Sequence, residues 1–169
     1  MTIGYRRRGP DDAAAIDAVF RTSFCDTFAH LYRSADLEAF LGKLTIEGWK
    51  SELRDERFAF LLAEADGKLI GFVKLGPSEL PVQASGQAIE LRQLYLLHEW
   101  RGAGAARSLM DWALAEAKAR GGEELYLTVY TENWRARRFY ERYGFVEVGP
   151  YHFMVGEQAD EDIIMRLAL

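Results

Sequence analysis

The stretch Leu94-Tyr95-Leu96-Leu97-His98-Glu99-Trp100-Arg101-Gly102-Ala103-Gly104-Ala105-Ala106 decides the fold. An apolar strand pattern that begins near Ala88 ends at Leu97, a glycine turn follows, and small residues then open a helical pattern. That helix is expected from about Ala105 to Arg120, with Leu109, Trp112, Ala113 and Ala117 on one side and Gly121-Gly122 as its stop. Leu125 to Tyr130 reads as the next strand, so strand, helix and strand form a crossover with parallel strands. Upstream, Phe58–Glu64 and Lys68–Leu75 flank the turn Ala65-Asp66-Gly67, which makes them an antiparallel hairpin. Farther out, Ile3, Tyr5 and Arg7 alternate as a strand ending at Gly9-Pro10. Asp11 or Asp12 is then placed to cap a helix through about Ser23. From Asp26 to Arg57 the pattern is helical but broken, with new starts at Ser34-Ala35-Asp36 and Thr45. Downstream come a helix over Trp134–Tyr143 ended by Gly144, and strands over Phe145–Val148 and Asp162–Ala168. The sum is a mixed α/β sheet.

With 169 residues the chain is expected to form one domain that buries roughly 70% of its unfolded surface. Its 21 basic and 26 acidic residues give a net charge of −5, which argues against a general nucleic-acid binder. One cysteine, Cys25, excludes an internal disulfide, and the scattered His30, His98 and His152 have no metal-ligand spacing. No metal is expected. Apolar runs such as Phe58 to Ala63 are too short to span a bilayer, so no membrane role and a cytoplasmic location are expected.

The glycine turn carries the chemistry. Small residues at a helix start expose consecutive backbone N–H groups where the helix dipole also favours an anion, and Arg101 adds a charged donor. A phosphate or pyrophosphate fits; so does a merely tight connection packed with small residues. A nucleotide P-loop would need Lys and Ser or Thr where Ala105-Ala106 stand. A dinucleotide fingerprint would need a third glycine where Arg107 stands, and an acid beyond the next strand, whereas Glu123-Glu124 precede it.

The segment does resemble the acyl-CoA loop of the GNAT superfamily of N-acetyltransferases. That pattern is Gln or Arg, two residues, Gly, one residue, then Gly or Ala, and Arg101, Gly104 and Ala106 fill it. A second family element is matched by Asn133-Trp134-Arg135-Ala136-Arg137-Arg138-Phe139-Tyr140-Glu141-Arg142-Tyr143-Gly144-Phe145. Phe24-Cys25-Asp26-Thr27-Phe28, Gly149-Pro150-Tyr151-His152-Phe153-Met154-Val155-Gly156 and Asp162-Ile163-Ile164-Met165 are similar to the branch that includes bacterial spermine/spermidine N-acetyltransferases.

The resemblance implies a mostly antiparallel central sheet with one parallel pair splayed at the acyl-CoA site and helices around it. Acetyl-CoA is the implied co-substrate. Residues 101–106, from Arg101 through Gly102, Ala103, Gly104 and Ala105 to Ala106, would hold its phosphates. The backbone of Leu94, Tyr95 and Leu96 would pair with its pantetheine arm, and Asn133 would touch that arm or cap the following helix. The implied reaction is direct attack of a primary amine on the thioester, which needs a proton acceptor for the amine and a donor for the thiolate. Tyr140 is the implied donor, although aromatic packing with Phe139 and Tyr143 accounts for it equally well. Glu90 is the candidate base, or else a partner of Arg92 or an anchor for a cation; period-two alternation puts it on the face of Leu94 and Leu96.

For the acceptor, Asp26, Thr27, Phe28 and Tyr32 are candidate walls suited to a cation, with Phe28 also readable as core and His152 as a more remote candidate. The expected acceptor is a small-molecule primary amine, a polyamine among them. A peptide or protein acceptor, and a non-catalytic acyl-CoA-binding domain, are the alternatives. A homodimer through an exposed edge strand or the tail is left open.

Overall fold

The computed structural model describes residues 2–169. Seven strands form one sheet: β1 (Gly4–Arg7), β2 (Ala59–Ala65), β3 (Lys68–Pro77), β4 (Ala88–Leu96), β5 (Glu124–Tyr130), β6 (Val146–Val155) and β7 (Gln158–Ala168), in the spatial order β1-β2-β3-β4-β5-β7-β6. Five helices complete it: α1 (Ala13–Phe28), α2 (Ser34–Gly42), α3 (Ile46–Arg54), α4 (Ala105–Ala119) and α5 (Trp134–Arg142). Only β4 and β5 are parallel, as the crossover through α4 requires.

Alternation along β2 shows how the sheet is covered. Leu61 and Ala63 face a core built with Leu109, Met110, Ala113 and Ala117 of α4. Phe60 and Leu62 face a second core with Ile16, Val19, Phe20 and Phe24 of α1 and Trp49 and Leu53 of α3. Both sheet faces are therefore buried, and β2 is almost wholly apolar. No helix of the described residues is long and apolar enough to cross a membrane.

Several boundaries differ from expectation. Helix α1 continues to Phe28 instead of ending near Ser23. Asp12 precedes it without capping it: its carboxylate is taken by Arg6, whose Nη1 and Nη2 donate at 2.8 and 2.7 Å. Strand β6 runs on to Val155, past Gly149-Pro150, and β7 begins at Gln158, before Asp162. Proline is harmless there because β6 lies at the sheet edge and pairs only with β7, with a bulge between Glu147 and Gly149.

Two irregularities in β4 position the site. Its pairing with β5 stops after Ala88, Ile89 and Glu90, so from Leu91 onward its β5-facing side has no strand partner. Its pairing with β3 slips between Lys74 and Leu75, where Lys74 opposes Gln93 but Leu75 opposes Leu91. That bulge inserts Arg92 and resets the alternation. Ile89 and Leu91 before it, and Leu94 and Leu96 after it, all pack on the α4 side. Glu90 is consequently not on the face of Leu94 and Leu96, contrary to the period-two expectation.

Candidate functional site

Where β4 and β5 part, a cleft of about 460 Å³ opens between them. Leu94, Tyr95 and Leu96 line it from β4, Thr128, Val129 and Tyr130 from β5, and Asn133, Phe139 and Tyr140 from the start and body of α5. Its size is within the range of small-molecule sites.

The glycine turn forms one mouth. Gly102 and Gly104 have φ of +82° and +87°, a region that disfavours side chains, and Gly104 hands the chain directly to α4. Ser108 is the first helical residue whose N–H bonds back, to the Gly104 carbonyl at 3.1 Å, which leaves the preceding N–H groups at the mouth without helical partners. Gly102, Gly104 and Ala106 line the cleft; Ala103 is exposed and Ala105 is fully buried in the core, so neither reaches it. The mouth is also strongly basic. Arg101, Arg107, Arg135 and Arg142 line it, and Arg135 and Arg142 are in no ion pair among the described residues. Burial and the neighbouring Arg135 charge push the Arg101 guanidinium down from its ordinary value. Its Nη2 donates to Thr27 Oγ1 at 2.9 Å, tying the turn to the last turn of α1.

Tyr140 is deeply buried against the cleft, in edge contact with Phe139 and Phe145, and burial raises its phenol pKa. Its hydroxyl is therefore protonated at neutral pH and available as a donor. Asn133 caps α5 by accepting from the Ala136 N–H at 3.3 Å while also lining the cleft, so both readings of it are compatible. Tyr95 is within electrostatic reach of both Tyr140 and Asp162.

The far end is aromatic and acidic. Phe28 and Tyr32 line it together with Phe24, Tyr130 and Phe153, while Thr27 also lines the cleft but lies against Arg101 of the mouth. Phe24 stacks on Tyr32 and Phe28 meets Tyr130 edge-on. Asp26 and His152 are exposed and are not part of the cleft lining. The extension of α1 to Phe28 turns Asp26 outward, and strand alternation on β6 sends Phe153 inward and His152 to solvent.

Two carboxylates that the sequence reading did not single out sit here, Asp160 and Asp162 on one face of β7, both buried. The Tyr32 hydroxyl donates to Asp160, which also accepts from Gln158 Nε2 at 3.1 Å. Burial, then the adjacent Asp160 charge, push Asp162 up to about 7. The available signal was the Asp160-Glu161-Asp162 alternation.

Glu90 is buried too, and desolvation raises its pKa as a base would need. The bulge, however, places it outside the cleft lining. There it accepts from the Glu79 N–H at 3.1 Å and lies 3.5 Å from Arg92 Nε. Lys74 is nearby, paired with Glu52 at 2.6 Å and set over the rings of Trp49 and Phe58.

A family model described as Acetyltransferase (GNAT) family matches residues 20–145. An uncharacterised N-acetyltransferase of Mycobacterium tuberculosis H37Rv is 36% identical over 113 residues, covering 67% of this chain and 69% of its own. The uncharacterised N-acetyltransferase YhfO of Bacillus subtilis strain 168 is 31% identical over 159 residues, covering 91% of this chain and 97% of its own. Among solved structures, the PaiA N-acetyltransferase of Thermoplasma acidophilum in complex with coenzyme A is similar with a TM-score of 0.81, 26% identity and full coverage of both chains.

Proposed function

The chain belongs to the GNAT family of N-acetyltransferases, and from that membership we propose that it moves the acetyl group of acetyl-CoA to the primary amine of a small cationic molecule in the cleft between β4 and β5. The observation that carries this reading is the parting of the two parallel strands, which leaves an extended backbone edge from Leu91 to Leu96 without a strand partner. An amide-bearing arm such as pantetheine would satisfy such an edge by strand-like hydrogen bonds. The charges support one orientation. Four arginines and the free N–H groups at the head of α4 suit the phosphates of the cofactor, while the aromatic and acidic far end suits a cation. Polyamines and arylalkylamines are the acceptor classes that this end favours, which keeps the spermine/spermidine-like branch as the working assignment.

Within this reading the thioester lies beside Tyr140, whose phenol passes a proton to the departing sulfur. Asn133 and the backbone of Leu94, Tyr95 and Leu96 orient the arm, and residues 101–106 close on the phosphates. Thr27, Phe28 and Tyr32 form the acceptor wall, with Asp26 and His152 given no role.

The test is release of free thiol from acetyl-CoA against spermidine, spermine, 2-phenylethylamine, amino acids, aminoglycosides and short peptides. Turnover confined to the cationic small molecules is expected, and Tyr140→Phe should lower kcat by about a hundredfold with acetyl-CoA affinity unchanged. Tight acetyl-CoA binding without turnover on any amine would sink the acceptor assignment, and failure to bind acetyl-CoA would sink the whole reading. Glu90→Gln belongs in the same assay, since a base role for Glu90 requires its loss to remove the rise of rate with pH.

A further inference from the structure

We propose that Asp162, at the far end of the cleft, takes the proton from the acceptor's ammonium group, with Asp160 and Tyr32 as positioning residues. The proposal rests on the acetyltransferase reading of the cleft and adds to it the proton acceptor that Glu90, lying outside the lining, does not supply.

Geometry carries the argument. Asp162 is only 9% exposed, yet it lines the cleft. Among the described residues no hydrogen bond and no ion pair reaches its carboxylate, although every other fully buried carboxylate in the chain has one. A mostly buried carboxylate whose oxygens open only onto the cleft is partly stripped of water, and a cation arriving in the cleft would satisfy it. The groups around Asp162 offer none. Asp160 shares its face of β7, Tyr151 on β6 and Tyr130 on β5 stand opposite it in register, and Tyr32 and Tyr95 are within electrostatic reach. A buried acceptor in the same cleft points the same way: Gln93, on β4, has a buried Oε1 with no donor. An ammonium group brings three donors and a positive charge, and the aromatic rings of Phe28, Tyr32 and Tyr130 add cation–π attraction.

The division of labour follows from the neighbours. Asp160 is already engaged by the Tyr32 hydroxyl and by Gln158 Nε2, so it is fixed in place beside Asp162 and is not the free acceptor. Asp162, raised toward neutrality by burial and by the Asp160 charge, is poised to accept. In the step, one proton passes from R–NH3⁺ to the Asp162 carboxylate and thence to solvent. The freed nitrogen lone pair forms the C–N bond at the thioester carbonyl, and the C–S bond breaks with its electron pair on sulfur. The second amine proton ends on sulfur through the Tyr140 hydroxyl. The products are the amide, the CoA thiol and one proton.

The deciding experiment compares the whole protein with Asp162→Asn and Asp160→Asn, using spermidine and 2-phenylethylamine as probe amines across neutral pH. For the unaltered protein kcat/KM should rise with pH through about 7. Asp162→Asn should lower it by about a hundredfold or more and abolish that rise, with acetyl-CoA affinity unchanged. Asp160→Asn, by removing the like charge, should move the rise to lower pH. An Asp162→Asn protein that keeps the rise and the rate overturns the proposal, as does an Asp160→Asn protein whose profile does not move. If neither amine is acetylated, the acceptor assignment above fails separately. The Asp162 carboxyl is then followed by carbon NMR of aspartate-labelled protein loaded with CoA. A carboxyl that titrates near neutrality, is missing in Asp162→Asn and falls in pKa when spermidine is added supports the proposal. A carboxyl that titrates as an ordinary aspartate, or ignores spermidine, overturns it.

Discussion

Two charged clusters lie on either side of β4, each with buried members, and they are built on opposite principles. Against α3, Lys74 and Arg92 face Glu52, Glu79 and Glu90, and each charge has a partner of opposite sign within 4 Å. At the end of the cleft, Asp160 and Asp162 face tyrosines and phenylalanines, and among the described residues neither is in an ion pair. The first is a closed network, satisfied by the fold itself. The second is completed only from outside. Burial and a raised pKa are common to Glu90 and Asp162, so neither property identifies a functional carboxylate; a missing partner beside an open cavity does.

The sharpest way to break this contrast is to measure stability without ligand. Asp162 binds its proton far more tightly in the folded protein than at the ordinary aspartate value of about 3.9 in the unfolded chain. The folded state thus holds the extra proton between those two values, and stability falls as pH rises from about 4 to about 7. Asp162→Asn should therefore raise Tm above neutrality, by a gain of at most about 4 kcal/mol that fades towards about pH 4. Thermal melts at both ends of that window check it, and a destabilised variant at alkaline pH would place a hidden cation at Asp162.

In the balanced cluster the sign reverses. Lys74→Met should destabilise by about 1–3 kcal/mol, less than the roughly 3–5 kcal/mol of a fully buried pair because Glu52 keeps a third of its side chain in water. Acetyl-CoA affinity, read by titration calorimetry, should not follow. Glu90→Gln is expected to cost about 1 kcal/mol through its bonds to Glu79 and Arg92 while leaving the rise of kcat/KM with pH in place. Loss of that rise would return the base to Glu90. The smallest effect is expected at the basic mouth, where Arg135 and Arg142 have no ion pair among the described residues but are wet. Arg135→Ala should weaken acetyl-CoA binding about threefold to tenfold at low salt, and the difference should shrink as salt is added.

The strand, glycine turn and helix over residues 88–120 were legible because local chemistry alone dictates them: apolar alternation, positive-φ glycines, then an apolar stripe at helical spacing. Asn133 and Tyr140 stood out only through the family resemblance; residue chemistry alone offered a helix cap and aromatic packing. What stayed hidden depends on partners far along the chain. Strand β6 was cut short because Gly149-Pro150 reads as a break, and only its edge position makes the pair tolerable. Glu90 was misplaced because the bulge at Arg92 is fixed by β3, not by the residues of β4. Asp160 and Asp162 resembled a polar strand end until the aromatic residues of α1, β5 and β6 closed round them.

The seam between β4 and β5 has one more consequence. A sheet whose central pair shares only three rungs is missing hydrogen bonds where such bonds are normally densest. Any extended ligand that fills the seam acts as a temporary strand, and because it binds the folded chain alone it holds the two halves of the sheet together. At a hundred times its dissociation constant such a ligand adds about 2.7 kcal/mol. A ligand seated along the seam would therefore show itself first as a rise in Tm with its concentration.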